Sequence, residues 1–173
     1  MKAIELNQDN DRAWNCLGGT YRDEKRISDA LSCLSRAVEI NPNNDTAWSN
    51  LAYAFLDKKN YQEGISAINR AIELRPSNEM YWCNIVRIYL EQGLEEVAEI
   101  NIEEGLKNAE SIDALLLHKA RVKKDRGNVE EAFDIIEKIS TNYIKTAALS
   151  SIYCYPETTL SCIEYALTTL WLS

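Results

Sequence analysis

Apolar positions recur along most of this chain at the spacing of one helix face. Trp48, Leu51, Ala52 and Phe55 fall at i, i+3, i+4 and i+7, a single apolar stripe with polar residues between. Lys58-Lys59-Asn60 interrupts the stripe, and a second one runs through Ile65, Ile68, Ala71 and Ile72. Pro76 stops that second helix, and Ser77-Asn78 offers N-caps for the next. The pattern predicts two antiparallel amphipathic helices, with the small residues Ala52 and Gly64 facing each other so that the helices approach closely.

The same pattern returns at a fixed period along most of the chain. Trp14, Trp48 and Trp82 share a column with Leu116, and Tyr21, Phe55 and Tyr89 share another. Leu34, Ile68, Ile102 and Ile136 make an aliphatic column, Ala30, Gly64, Ala98 and Ala132 a small one, and Pro42 and Pro76 close their units. A lone helix pair cannot bury both of its stripes, so pairs repeated in this way must stack.

This arrangement, W-x-x-L-G-x-x-Y followed by A-x-x-x-F, then A and P, resembles the tetratricopeptide repeat (TPR), whose unit is about 34 residues long. Residues 11–44 match it almost completely through Trp14, Leu17, Gly18, Tyr21, Ala30, Ala37 and Pro42. Residues 45–78 and 79–112 match well, and 113–142 form a degenerate fourth copy in which Lys119 and Lys123 replace core residues. The resemblance implies an all-α fold, a right-handed superhelical solenoid of antiparallel helix pairs. Residues 1–10 repeat the tail of a second helix, since Lys2-Ala3-Ile4-Glu5-Leu6-Asn7 parallels Arg36-Ala37-Val38-Glu39-Ile40-Asn41; a piece of a longer array is expected, the alternative being a start codon that interrupts a former repeat. Residues 143–173 are expected to form a divergent or capping helix pair, with an apolar end at Leu170-Trp171-Leu172.

Composition narrows the function. The formal charge of −8 argues against nucleic-acid binding, which needs a surplus of Lys and Arg over phosphate. No apolar run reaches the roughly 20 residues that span a bilayer, so no membrane association is expected. The five Cys show no C-x-x-C spacing and read as reduced, mostly buried residues of a cytoplasmic protein, with no metal site. His118 is the single His and has no nucleophile or metal partner at recognisable spacing. No phosphate loop, H-E-x-x-H or G-x-S-x-G motif is present, so no enzyme activity and no cofactor are expected. The Trp column lies at core spacing, which reads as packing and not as a stacking platform.

Function is then expected on the face opposite the apolar stripe of the first helices, which the resemblance makes the wall of a concave, peptide-binding groove. In the second unit that face contains Thr46, Ser49, Asn50, Tyr53 and Asp57. One column holds Cys16, Asn50, Asn84 and His118, and another holds Gly19, Tyr53, Arg87 and Arg121; Asn15 lies beside them. Asn carries both a donor and an acceptor and so pairs bidentately with an extended peptide backbone. Arg87 and Arg121 would attract acidic groups on the partner. In TPR co-chaperones that grip a C-terminal carboxylate, five positions form a clamp; at the matching positions of this chain only Asn50 agrees, which argues against that ligand. The expected function is a protein-interaction scaffold whose partner is a protein or peptide segment. Alternatives are a scaffold that self-associates through its repeat ends, and the regulatory or docking module of a larger enzyme such as a glycosyltransferase.

Overall fold

The computed structural model describes residues 9–140 together with Lys145 and Leu149. The expected remnant at residues 1–10 and the divergent pair at 143–173 therefore lie almost wholly outside the described residues. Among those residues there are eight helices and no strand. They are α1 (Asp11–Asp23), α2 (Ile27–Ile40), α3 (Asp45–Asp57), α4 (Tyr61–Leu74), α5 (Glu79–Glu91), α6 (Glu95–Asn108), α7 (Asp113–Asp125) and α8 (Val129–Glu137). Each odd-numbered helix packs on the even-numbered one that follows it. The chain divides into two compact units, Met1–Glu110 and Ser111–Ser173.

In the first unit each hairpin starts on an Asn. The side-chain oxygens of Asn10, Asn44 and Asn78 accept from the amides of Ala13, Ala47 and Met80, each at 3.0 Å, which satisfies donors that the first turn leaves open. The Trp column adds a second pin. Trp48 Nε1 donates to the Pro42 carbonyl at 2.9 Å and Trp82 Nε1 to the Pro76 carbonyl at 2.8 Å. Each Trp thus ties its helix to the loop that leads into it; the Trp82 ring is buried, whereas Trp48 is partly exposed.

Helix contacts follow the small-residue columns. A Cβ added at Gly18 would lie 2.5 Å from Leu34 Cγ and 3.3 Å from the Ala30 carbonyl. One added at Gly64 would lie 3.3 Å from a Leu56 methyl and 3.5 Å from the Ala52 carbonyl. The facing of Ala52 and Gly64 read from the sequence is the arrangement observed. The aliphatic column Leu34, Ile68, Ile102 and Ile136 is fully buried in the hairpin seams.

The turns inside the hairpins share one conformation. Lys25, Lys59, Gly93 and Gly127, which occupy one column of the repeat, all have left-handed backbones, with φ of 63°, 61°, 72° and 85°. The amide that follows each one closes back on the first helix. Arg26 donates to the Tyr21 carbonyl at 2.8 Å, and Asn60, Leu94 and Asn128 donate to the carbonyls of Phe55, Tyr89 and Lys123 at 2.9 Å. A left-handed backbone costs an L-residue roughly 1–2 kcal/mol that glycine does not incur. Glycine gives back part of that advantage through greater unfolded-state freedom. Lys25→Gly and Lys59→Gly are therefore each expected to stabilise by about 0.5–1 kcal/mol, whereas Lys→Ala at either site is not. Thermal melts of the two pairs of variants check this, and equal melting temperatures for Gly and Ala would count against it.

The division between the units falls where the sequence loses these devices. Pro and the capping Asn are replaced in Ala109-Glu110-Ser111-Ile112, Leu116 stands in the Trp column, and Ile112 provides no side-chain cap. In the second unit α7 and α8 pack as a hairpin, and the buried Asp113 carboxylate accepts from the Ser140 amide at 3.1 Å and its hydroxyl at 2.8 Å. Lys123 occupies a core column by laying its stem along the hairpin and pairing its ammonium with Glu131 at 3.3 Å.

Candidate functional site

The first helices of the first unit, α1, α3 and α5, carry five of the seven predicted side chains, and the structure joins them. Asn50 Nδ2 donates to Asn15 Oδ1 at 2.9 Å, linking α3 to α1. Tyr53 donates its hydroxyl proton to Asn84 Oδ1, linking α3 to α5. The Tyr53 ring takes the Arg87 guanidinium over it at 5.0 Å from the centroid, and a second guanidinium, that of Arg22, also at 5.0 Å. Asn15, Asn50, Tyr53, Asn84 and Arg87 therefore form one polar strip across three successive helices, with Arg22 as an added member.

Two details differ from the sequence reading. Ser49, expected on this face, is buried. Asn84 is only 6% exposed: it is held beneath Tyr53 and fixes that ring by accepting its hydroxyl. Among the described residues no buried side-chain nitrogen or oxygen lacks a hydrogen-bond partner. The buried polar atoms of the strip are thus all paired, while the solvent-facing ones keep hydrogen-bonding capacity to spare.

Arg22 is not apparent from periodicity. Its column continues as Leu56, Leu90 and Lys124, so within the first unit the charge departs from two aliphatic residues, and that departure is the available signal. The strip is bordered by a further column, Asp23, Asp57 and Glu91. Arg22 approaches Asp23 at 3.8 Å and Asp57 at 4.0 Å, and Arg87 approaches Glu91 at 3.8 Å. These separations exceed hydrogen-bond length. They are loose, solvent-facing ion pairs, each contributing less than about 1 kcal/mol.

His118 and Arg121 lie on α7, in the second unit. His118 is half-buried and Arg121 is exposed, its guanidinium 3.8 Å from Asp125 on the same helix. They are one turn apart, as the columns require, and belong to a different unit from the other five.

The cysteines divide by position. Cys33 and Cys83 are buried free thiols, and burial pushes the Cys83 thiol up to about 12, so it stays protonated and inert. Cys16 is exposed, which corrects the reading for that residue: its place in the Asn column of the first helices points it outward. Cys154 and Cys162 lie outside the described residues. Among the described residues no group of three or more His, Cys, Asp or Glu gathers as a metal site, and no helix is long and apolar enough to cross a membrane.

Comparison with known proteins places this geometry. Residues 17–79 match the family model described as tetratricopeptide repeat. No curated protein matches the chain in sequence. Among solved structures the chain is similar to MamA, with 19% identity and a TM-score of 0.68 over 89% of this chain and 86% of that one. It is also similar to YrrB, described as a TPR protein with an unusual peptide-binding site, with 16% identity and a TM-score of 0.66 over 94% of this chain and 86% of that one. A third likeness is to a chain of the APC/C hetero-tetramer Cut9-Hcn1, with 15% identity and a TM-score of 0.71, where 86% of this chain covers 27% of the other. At these identities the likeness is one of fold, an all-α helical repeat solenoid. The recurring columns, the capped and pinned hairpins and the family match agree: residues 17–79 carry the tetratricopeptide repeat, within a chain that has the fold of an all-α helical repeat solenoid.

Proposed function

We propose that the protein is an interaction scaffold that docks a peptide segment of a partner protein on the face formed by α1, α3 and α5. The observation that carries this reading is the strip Asn15–Asn50 and Tyr53–Asn84, which spans three helices through side-chain hydrogen bonds already made within the chain itself. Preorganised polar groups bind without a further ordering cost, so the strip suits main-chain recognition. Each Asn amide has more hydrogen-bonding capacity than the strip uses, and the half-exposed Tyr53 ring offers contact area at low entropic cost. YrrB, similar in fold, is described as having a peptide-binding site, which is consistent with this use of the architecture.

A random-sequence peptide array probed with the full chain tests the reading. The tightest peptide is expected to lose about tenfold in affinity in the variant Asn50→Ala with Asn84→Ala, since two hydrogen bonds contribute about 0.5–1.5 kcal/mol each. The stability change should stay within about 2 kcal/mol, because the half-exposed Tyr53 hydroxyl can turn to water. Unchanged affinity in the double variant would remove this face as the docking site.

A further inference from the structure

We propose that Arg22, Tyr53 and Arg87 form a receptor for two acidic side chains carried on one extended partner segment. The inference rests on the docking face proposed above and goes further, because it names the chemistry recognised there.

The starting point is a difference among the arginines of the first unit. Arg26, Arg36 and Arg70 spend N–H groups on carboxylates three residues further along the chain, at 2.8 Å for Arg26 to Asp29, 3.3 Å for Arg36 to Glu39 and 2.8 Å for Arg70 to Glu73. Arg22 and Arg87 do not. Among the described residues neither donates a hydrogen bond, and their nearest carboxylates stay at 3.8–4.0 Å. What holds them is the face of Tyr53, which fixes a guanidinium by stacking and leaves its N–H edge open. A stacked guanidinium with a free edge is prepared for bidentate pairing with a planar carboxylate.

Tyr53 is itself fixed. Its hydroxyl is bonded to the nearly buried Asn84, so the platform cannot rotate away when a ligand arrives. Both guanidinium carbons lie 5.0 Å from the same ring centroid, so they stand no farther apart than twice that distance. Two like charges at that range still repel, because it does not exceed about one Debye length, and an anion between them relieves the repulsion. Approach from the α1 side is open, because a Cβ at Gly19, in the column of Tyr53, would meet nothing within 4 Å.

The bordering carboxylates Asp23, Asp57 and Glu91 compete weakly. Their side chains are well exposed, and a long-range pair in water gives way to a ligand carboxylate that reaches two N–H groups at hydrogen-bond length. Spacing selects the ligand. Side chains at i and i+2 of an extended segment point the same way, about 6.6–6.8 Å apart. That separation lies within the ceiling that the shared ring sets on the distance between the two guanidinium groups. The recognised pattern is acid-x-acid.

The test is fluorescence anisotropy of the full chain with a fluorescein-labelled peptide that carries Glu-Thr-Glu between Ser-Gly flanks, alongside its Gln-Thr-Gln twin. The Glu peptide is expected to bind at least about tenfold tighter than the twin, with affinity that falls as salt rises. Arg22→Gln and Arg87→Gln should each weaken it several-fold and together by more than about tenfold, while Arg70→Gln, on a second helix, leaves it unchanged. Gly19→Leu should also weaken it, by filling the open approach without a steric clash at the backbone. Equal binding of the two peptides, wild-type affinity in the double Arg variant, or no anisotropy change up to millimolar protein would each overturn the receptor. Array peptides that lack acidic residues yet lose affinity in Asn50→Ala would overturn it while leaving the docking face in place.

Discussion

Ile68→Ala is expected to destabilise the middle hairpin by roughly 3 kcal/mol, one of the largest effects available to a single substitution in this chain. Ile68 is 0% exposed and sits in the aliphatic column shared with Leu34, Ile102 and Ile136. Its α4 backbone packs on α3 and on α5, so a cavity there is walled by three helices that cannot all move inward. The cost is the lost transfer energy of the removed methyl groups plus the void they leave, which for buried Ile to Ala spans about 2–5 kcal/mol. In a repeat protein each hairpin is coupled chiefly to its neighbours, so the loss should be local. Hydrogen exchange of the full chain should show faster exchange across α3, α4 and α5, with little change in α8. Ile100→Ala, at a position 63% exposed, serves as the control and is expected to change stability by less than about 0.5 kcal/mol. Equal exchange in the two variants would mean that the seam is not close-packed.

The helices and the seam that Ile68 occupies were legible because both follow period and residue size. Each column is sampled several times, so Leu34, Ile68, Ile102 and Ile136 together state what one residue alone does not. The turn conformation is legible in the same way, since Gly93 and Gly127 disclose a left-handed position that Lys25 and Lys59 conceal. The candidate site was legible only in part. Columns place Asn50, Tyr53, Asn84 and Arg87 on one face, but they do not say which side chains pair across repeats. Tyr53 with Asn84, Asn50 with Asn15 and Arg22 with Tyr53 join side chains of neighbouring repeats, and those contacts depend on inter-helix distances that periodicity does not encode. Arg22 was missed for a related reason. A charge in a column that is Leu in the next two repeats looks like a defect until the aromatic ring it stacks on is placed beside it.

The second large effect concerns the acid that opens each first helix. Asp11, Asp45, Glu79 and Asp113 share one column of the repeat, and where their partners are seen they bond to groups of the next repeat or loop. Asp11 accepts from the amides of Asn41 and Asn44 at 2.9 and 2.8 Å. Burial works to raise its carboxyl, and the two amide bonds outweigh it, so the group is held below the usual carboxylate value. Asp45 has the more demanding role. Its side chain is 13% exposed, and it accepts the Tyr81 hydroxyl at 2.6 Å while pairing with Arg75 at 3.2 Å. Tyr81 is 5% exposed, and burial together with this bond keeps its phenol protonated above the ordinary range. Asp45→Ala therefore removes the charge-assisted bond made by a buried hydroxyl, leaving it only its bond with Thr46. A hydrogen bond to a charged group contributes about 1.5–3 kcal/mol, and the negative charge at the helix start adds about 0.3–1 kcal/mol. The expected loss is roughly 2–4 kcal/mol. Tyr81→Phe removes the donor along with the need for an acceptor, and should cost about 1 kcal/mol. In the double variant the two losses should not add, since they share one bond. Urea unfolding of the four proteins, followed by Trp fluorescence, closes the cycle. If Asp45→Ala proved as mild as Tyr81→Phe, Asp45 would be only a helix-start charge, and the link it makes to the following repeat would contribute nothing to stability.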